Sequence, residues 1–133
     1  MTKAWTNAGK TAAIFFAVLP HAVEAAPAPA RGADVAEGAR QFIQCRSCHT
    51  VTRGGDDLVG PNLWGVFGRK AAARPGFDYS SALSSSAMVW TAKDLDQYLE
   101  RPSARVPGTI MVFQGIGDSR KRAALIAYLA TLK

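Results

Sequence analysis

Read as a pattern of apolar and polar positions, the chain predicts short helices separated by long irregular stretches. Val35, Ala39 and Phe42 fall three to four residues apart behind Asp34, a residue type suited to cap a helix, and Gly38 offers a place of close backbone approach. The last helix has the clearest stripe, with Leu125, Ile126, Leu129 and Leu132 on one side and Asp118 opening it. Between these two, Ser80 is placed to cap a short helix through Ser85. Thr91 begins another helix that runs to Leu99, with Asp94 at the capping-box position and Pro102 closing it. From Thr50 to Gly76 the pairs Gly54-Gly55, Gly60-Pro61 and Pro75-Gly76, with Gly65 and Gly68, interrupt any period, and Arg101 to Gly117 also reads as loop. No strand pattern of convincing length and no internal repeat is visible. The expected fold is all-α, about four to five short helices with loops long enough to serve a function, most simply to wrap a cofactor.

The first residues follow another pattern. Lys3 and Lys10 precede an apolar run from Thr11 to Leu19 that is too short to cross a membrane, and small residues follow it. Cleavage after Ala25 would put Val23 and Ala25 at the positions a signal peptidase reads. Residues 1–25 are therefore expected to be a cleaved secretory signal, residues 26–32 a flexible lead-in, and residues 33–133 the folded domain. The alternative is an uncleaved anchor, disfavoured by the short run and by Pro20. Export to the periplasm of a bacterium follows from the first reading.

The mature chain would hold about 105 residues, so few that a conventional core gives only marginal stability. The full chain of 133 residues carries sixteen basic and ten acidic residues; loss of Lys3, Lys10 and Glu24 leaves fourteen against nine, an excess of +5. That balance suits an acidic docking surface but is too dispersed for nucleic-acid binding. The longest basic run, Arg120-Lys121-Arg122, reads as the solvated face of a helix.

Five residues change the picture. In Cys45-Arg46-Ser47-Cys48-His49, two thiols three positions apart are followed directly by an imidazole, the attachment signature of one c-type haem. On a helical turn both sulfurs project to one side and can add to two vinyl groups while His49 reaches the iron. A thioredoxin-like redox pair, half of a zinc site and two ordinary thiols compete with this reading. The first needs a βαβ surround. The second needs four ligands, whereas the chain has two Cys and two His, one of them His21 in the expected signal.

The ligand opposite His49 decides what the iron does, and Met/His ligation suits electron transfer. Met111, in Pro107-Gly108-Thr109-Ile110-Met111-Val112-Phe113, lies on a loop that Pro107 and Gly108 can turn toward the iron, whereas Met88 reads as packing. Pro61 can present its carbonyl to the imidazole N–H of His49. Arg69, Tyr79 and Trp90 are donors suited to buried propionates. Tyr98 and Thr109 can hydrogen-bond near the methionine sulfur, and each of these residues has the plainer reading of turn, surface or core.

Gly38-x-x-x-Phe42, CRSCHTV, GGDDLVGPNLWGVFGRK, PGFDYSSA, the Trp90 segment, LDQYLERP, PGTIMVF and RAALIAYL occur in the order of the class I cytochromes c, and the chain from about Gly32 to Lys133 resembles their mitochondrial cytochrome c and bacterial cytochrome c2 branch. The resemblance implies a small all-α cytochrome c fold around one covalent haem c, with His49 and Met111 axial. It implies a crossing of the first and last helices where Gly38 and Phe42 meet Leu125 and Tyr128, and haem-linked roles for Pro61, Arg69, Tyr79, Trp90, Tyr98 and Thr109. This chain departs from the family at the exposed haem edge: Gln44, Leu58, Ser103, Ala104 and Ile110 stand where relatives place lysines, with Asp56 and Asp57 nearby. Arg46, Arg53 and Arg105 substitute in part, and Ile110 and Val112 make the face more apolar. Leu83 stands where mitochondrial relatives have an asparagine.

The expected function is that of a soluble, monomeric one-electron carrier, not an enzyme. It would meet membranes only peripherally and shuttle between a quinol-oxidising complex and a terminal oxidase or photosynthetic reaction centre. A haem enzyme or gas-binding protein is the second hypothesis; it needs Met111 off the iron and a distal base, and no distal His or Arg is evident. An electron-transfer domain of a larger enzyme is the third, and the lack of a linker before Lys133 speaks against it.

Overall fold

The computed structural model describes Met1, Thr2 and residues 32–133; the rest of the expected signal, and the lead-in up to Arg31, lie outside the described residues. Five α-helices follow one another among these residues: α1 (Gly32–Gln41), which tightens into a 3-10 turn over Phe42–Gln44, α2 (Ser81–Ser84), α3 (Ala92–Glu100), α4 (Pro102–Arg105) and α5 (Ser119–Thr131). No strand forms among them, and the one β-type contact is an isolated antiparallel bridge between Lys70 and Val89. None of these helices is long and apolar enough to cross a membrane.

Caps set several of the boundaries. The Ser80 hydroxyl accepts from Leu83 N at 3.2 Å, Thr91 Oγ1 accepts from Asp94 N at 3.1 Å, and Asp118 Oδ1 accepts from Arg120 N at 2.8 Å, each satisfying an otherwise orphaned N–H of a first turn. Two boundaries differ from the sequence expectation. α1 begins at Gly32, so Asp34 lies in its first turn, where a carboxylate faces the positive end of the helix dipole, rather than at its cap. Pro102 does not merely close α3: it is the first residue of α4, where its missing N–H costs nothing.

The core is centred on the crossing of α1 and α5. A Cβ built on Gly38 would stand 2.0 Å from the Ala124 carbonyl oxygen and 2.6 Å from the Tyr128 Cβ, so only glycine lets the two backbones come this close. One turn on, the rings of Phe42 and Tyr128 lie 5.8 Å apart, and Leu125 beside them is 1% exposed. The apolar stripe expected for α5 is buried throughout.

Arg122 corrects the reading of the basic run. Arg120 and Lys121 are exposed, but Arg122 is 5% exposed. Its Nε donates to Asp96 Oδ1 on α3 at 2.7 Å, and its Nη1 donates to the carbonyls of Ile116 and Gly117 at 2.8 and 3.0 Å. A guanidinium can be buried when its donors are matched in this way, and here it ties α5 to α3 and to the end of the Met111 loop.

Candidate functional site

The Cys45–His49 segment continues from the end of α1. Cys45 N and Arg46 N donate to Phe42 O at 2.8 and 3.2 Å, and Cys48 N and His49 N both donate to Cys45 O at 3.0 Å. These tight turns carry both thiols and the imidazole to the wall of one cavity. The cysteines are not joined to each other. Burial, with Cys48 adding to it, pushes the Cys45 thiol up to about 11. That is the opposite of the lowered thiol that a thioredoxin-like pair requires.

His49 is placed from behind by residues 58–63. Gly60 N donates to Cys48 O at 2.8 Å and Leu63 N to Thr50 O at 2.9 Å, which straps this loop against the segment after the cysteines. His49 Nδ1 lies 2.7 Å from Pro61 O. A carbonyl can only accept, so Nδ1 carries the proton and Nε2 keeps its lone pair. Burial lowers the imidazole pKa, with the Pro61 bond acting against it, and the neutral ring is the form able to ligate a metal. Sequence reasoning missed a second contribution of this loop. A Cβ on Gly60 would come within 2.3 to 2.8 Å of three atoms of the imidazole, so the ring rests on a glycine Cα. The Gly-Pro dipeptide signalled a turn, but nothing local in the sequence reveals which side chain lies on it.

The opposite end of the chain supplies Met111. Gly108, at φ +90°, turns the loop after α4. Tyr98 of α3 shares a 3.0 Å hydrogen bond with Thr109 Oγ1, which also accepts from Met111 N at 3.3 Å. Gly115, at φ +99°, closes the loop against α3, where a Cβ would meet Glu100 O at 2.0 Å. Met88 packs against the core and does not line the cavity.

A third wall comes from residues 66–90. Gly68 N donates to Trp90 O and Trp90 N to Arg69 O, both at 2.9 Å, and Arg69 Nη1 reaches Trp64 O at 3.1 Å. Trp90 packs on Tyr98 with ring centroids 5.0 Å apart, and Tyr79 meets Phe77 edge-on at 4.8 Å.

The structure brings every residue singled out from the sequence to one cavity of about 320 Å³: Cys45, Cys48, His49, Pro61, Arg69, Tyr79, Trp90, Tyr98, Thr109 and Met111 all line it. Between them lie apolar side chains to which the sequence assigned no place in the site, including Leu63, Val66, Leu95, Leu99 and Leu129, together with Leu83. An apolar slot with two thiols at one edge and Arg69, Tyr79 and Trp90 as donors suits a flat apolar ring that carries carboxylates. The site and the helical shell define a haem-binding protein of the c type.

Comparison with known proteins agrees. No model of a known protein family matches the chain. Over 98 residues it is 47% identical to cytochrome c2 of Rhodomicrobium vannielii, covering 74% of this chain and 78% of that one. Over 105 residues it is 42% identical to cytochrome c2 of Blastochloris viridis, covering 79% and 83%. The solved structure of cytochrome cH from Methylobacterium extorquens superposes with a TM-score of 0.70 at 43% identity, covering 74% of this chain and 98% of that one. The chain belongs to the class I cytochrome c family. It is a c-type cytochrome with one covalent haem c, an electron carrier rather than an enzyme.

Proposed function

We propose that Cys45 and Cys48 hold the haem through thioether bonds, that His49 and Met111 are its axial ligands, and that the protein is an exported, soluble periplasmic carrier. Its partners on this reading are membrane-bound respiratory or photosynthetic complexes: a quinol-oxidising complex as donor, and a terminal oxidase or photosynthetic reaction centre as acceptor. The observation that carries the reading is the His49 Nδ1–Pro61 O bond of 2.7 Å in a cavity shared with both thiols and Met111. That bond fixes the tautomer that leaves Nε2 available to iron.

Bound haem supplies the one-electron couple, and the chain's own residues do the rest. His49 is held by Pro61 and seated on Gly60, and Thr109 anchors the Met111 backbone, so both ligands stay in place when charge changes and reorganisation is small. Arg69, Tyr79 and Trp90 offer donors to the propionates, and Tyr98 with Thr109 sets the polarity near the sulfur. The cavity mouth is rimmed by Val59, Ile110 and Val112, which are 83%, 65% and 98% exposed. This is the face a redox partner meets, and its aliphatic character matches the lack of lysines at Gln44, Leu58, Ser103, Ala104 and Ile110. Arg105 is paired with Asp94 at 2.9 Å, whereas Arg46 and Arg53, near the cysteine segment, are exposed.

The purified holoprotein should be six-coordinate and low-spin in both oxidation states and should not bind carbon monoxide at neutral pH. A high-spin spectrum as isolated would contradict the reading and favour a gas-binding or peroxidase-type protein. Rates of electron exchange with membranes containing the candidate complexes should fall only shallowly with salt, because few charges surround the mouth; a steep fall would show that charge steering dominates.

A further inference from the structure

The peptide group joining Pro61 and Asn62 is hydrogen-bonded on both edges. Its carbonyl faces the His49 Nδ1–H at 2.7 Å, and its N–H donates to Asp57 Oδ1 at 2.6 Å. The same carboxylate oxygen accepts from Arg74 Nε, and Arg74 Nη2 donates to Gly55 O at 3.0 Å. The Asn62 side chain is fully buried and locks the group from the other side, with Nδ2 on Thr50 Oγ1 and Thr52 O and Oδ1 on Trp64 N. The planar amide therefore cannot turn away from either partner without breaking several bonds.

An amide is conjugated from nitrogen to oxygen, so an anion accepting at the N–H pushes electron density toward the carbonyl and makes it a better acceptor. Hydrogen bonds in such a row strengthen one another, and those to charged groups are the strongest. Burial would raise the Asp57 carboxyl, but the Asn62 N–H and Arg74 outweigh it and hold it below the usual carboxylate range, so the anion is present at neutral pH. Arg74 tempers that charge and fixes its direction.

We propose that Asp57, held by Arg74, is a positioning residue for the haem ligand His49, acting through the 61–62 peptide to strengthen the Nδ1–H···O bond and so the donation of the imidazole to iron. The proposal rests on His49 being an axial ligand. Stronger donation favours the ferric state and lowers the potential. A plain loop staple has a different signature: loss of either member of the pair would loosen the loop and weaken the His49 bond in the same sense. The relay requires opposite senses, because Asp57→Asn removes the anion whereas Arg74→Gln leaves it less neutralised.

The test is nuclear magnetic resonance of the ferrous holoprotein with nitrogen-labelled histidine, together with midpoint potentials. In the wild type, the His49 ring protons should be strongly displaced by the porphyrin ring current. Absence of that displacement would remove the ligand and the relay with it. Asp57→Asn should move the Nδ1–H resonance upfield and raise the midpoint. Arg74→Gln should move the resonance downfield and lower the midpoint, and Asp57→Glu should restore the wild-type position. Asp56→Asn, which removes the neighbouring exposed carboxylate, should leave Nδ1–H in place and alter the midpoint only at low salt. With the ring-current displacement present, an unmoved Nδ1–H in Asp57→Asn, or upfield movement in both variants, overturns the relay alone. If Asp57→Asn yields no folded holoprotein, Arg74→Gln decides: a downfield move supports the relay, and any other result overturns it.

Discussion

The crossing of α1 and α5 and the loop wall of the cavity are built on different terms. At the crossing, protein packs on protein: Gly38 admits the Ala124 carbonyl, Phe42 meets Tyr128, and Leu125 is sealed between them. The wall made of residues 50–90 and 106–117 has no comparable helix crossing among the described residues. It is held by hydrogen bonds such as Gly60 N to Cys48 O, Trp90 N to Arg69 O and the Asn62 side-chain amide to Thr52 O, while Leu63, Val66 and Leu83 line the cavity. At the crossing the apolar partners are all protein, but that contact alone is too small a core for the domain. The loop half has its apolar partner only when haem is bound, which also explains how a domain this small attains a sufficient core.

Removing the cofactor tests that division most severely. With Cys45→Ser and Cys48→Ser together, so that no haem is attached, the chain should lose its cooperative melt and most of its helical circular dichroism. A native-like helical spectrum with a cooperative transition would show that the loop half does not depend on haem.

Two glycine substitutions should separate the halves. Gly38→Ala drives a Cβ onto backbone that cannot move aside and should destabilise the holoprotein by about 3 kcal/mol in denaturant titrations, with its visible spectrum unchanged. Gly60→Ala pushes on the His49 ring and should alter the spectrum and midpoint first. If both variants change the same observable, the two regions are not independent.

Smaller effects sharpen the picture. Tyr98→Phe removes the 3.0 Å bond to Thr109 and should cost about 1 kcal/mol while shifting the midpoint, since Thr109 supports the Met111 backbone. Asp94→Asn tests a contact outside the cavity lining. The Thr91 hydroxyl and then Arg105 hold the Asp94 carboxyl below its ordinary value. A depressed carboxyl contributes its stability above the unfolded pKa and loses it as pH falls through the folded one. Asp94→Asn should therefore cost roughly 0.5–1 kcal/mol at pH 7, with the difference from wild type vanishing in acid.

The two halves also differ in how far they could be read in the sequence. Capping side chains act over three residues and apolar stripes over one or two turns, so Ser80, Thr91, Asp118 and the α5 stripe were legible. α4 was not, because a single turn shows no period, and Arg122 passed for a solvated residue because its partners lie on α3 and in the preceding loop. In the site, motifs marked the residues with distinctive chemistry, and all of them line the cavity. They could not mark Gly60 as the seat of the imidazole or pair Asp57 with Arg74, because both relations arise only when separate loops meet. The apolar lining was equally silent, since a leucine facing haem and a leucine facing another leucine look alike in sequence.

The proposed holding of iron between His49 and Met111 is tested most directly by the spectrum and midpoint potential of Met111→Ala. Loss of the sulfur-to-iron charge-transfer band, a shift toward a five-coordinate or differently ligated haem, and a lowered midpoint are predicted. A variant with the wild-type spectrum and midpoint would contradict it and assign the sixth position to another residue.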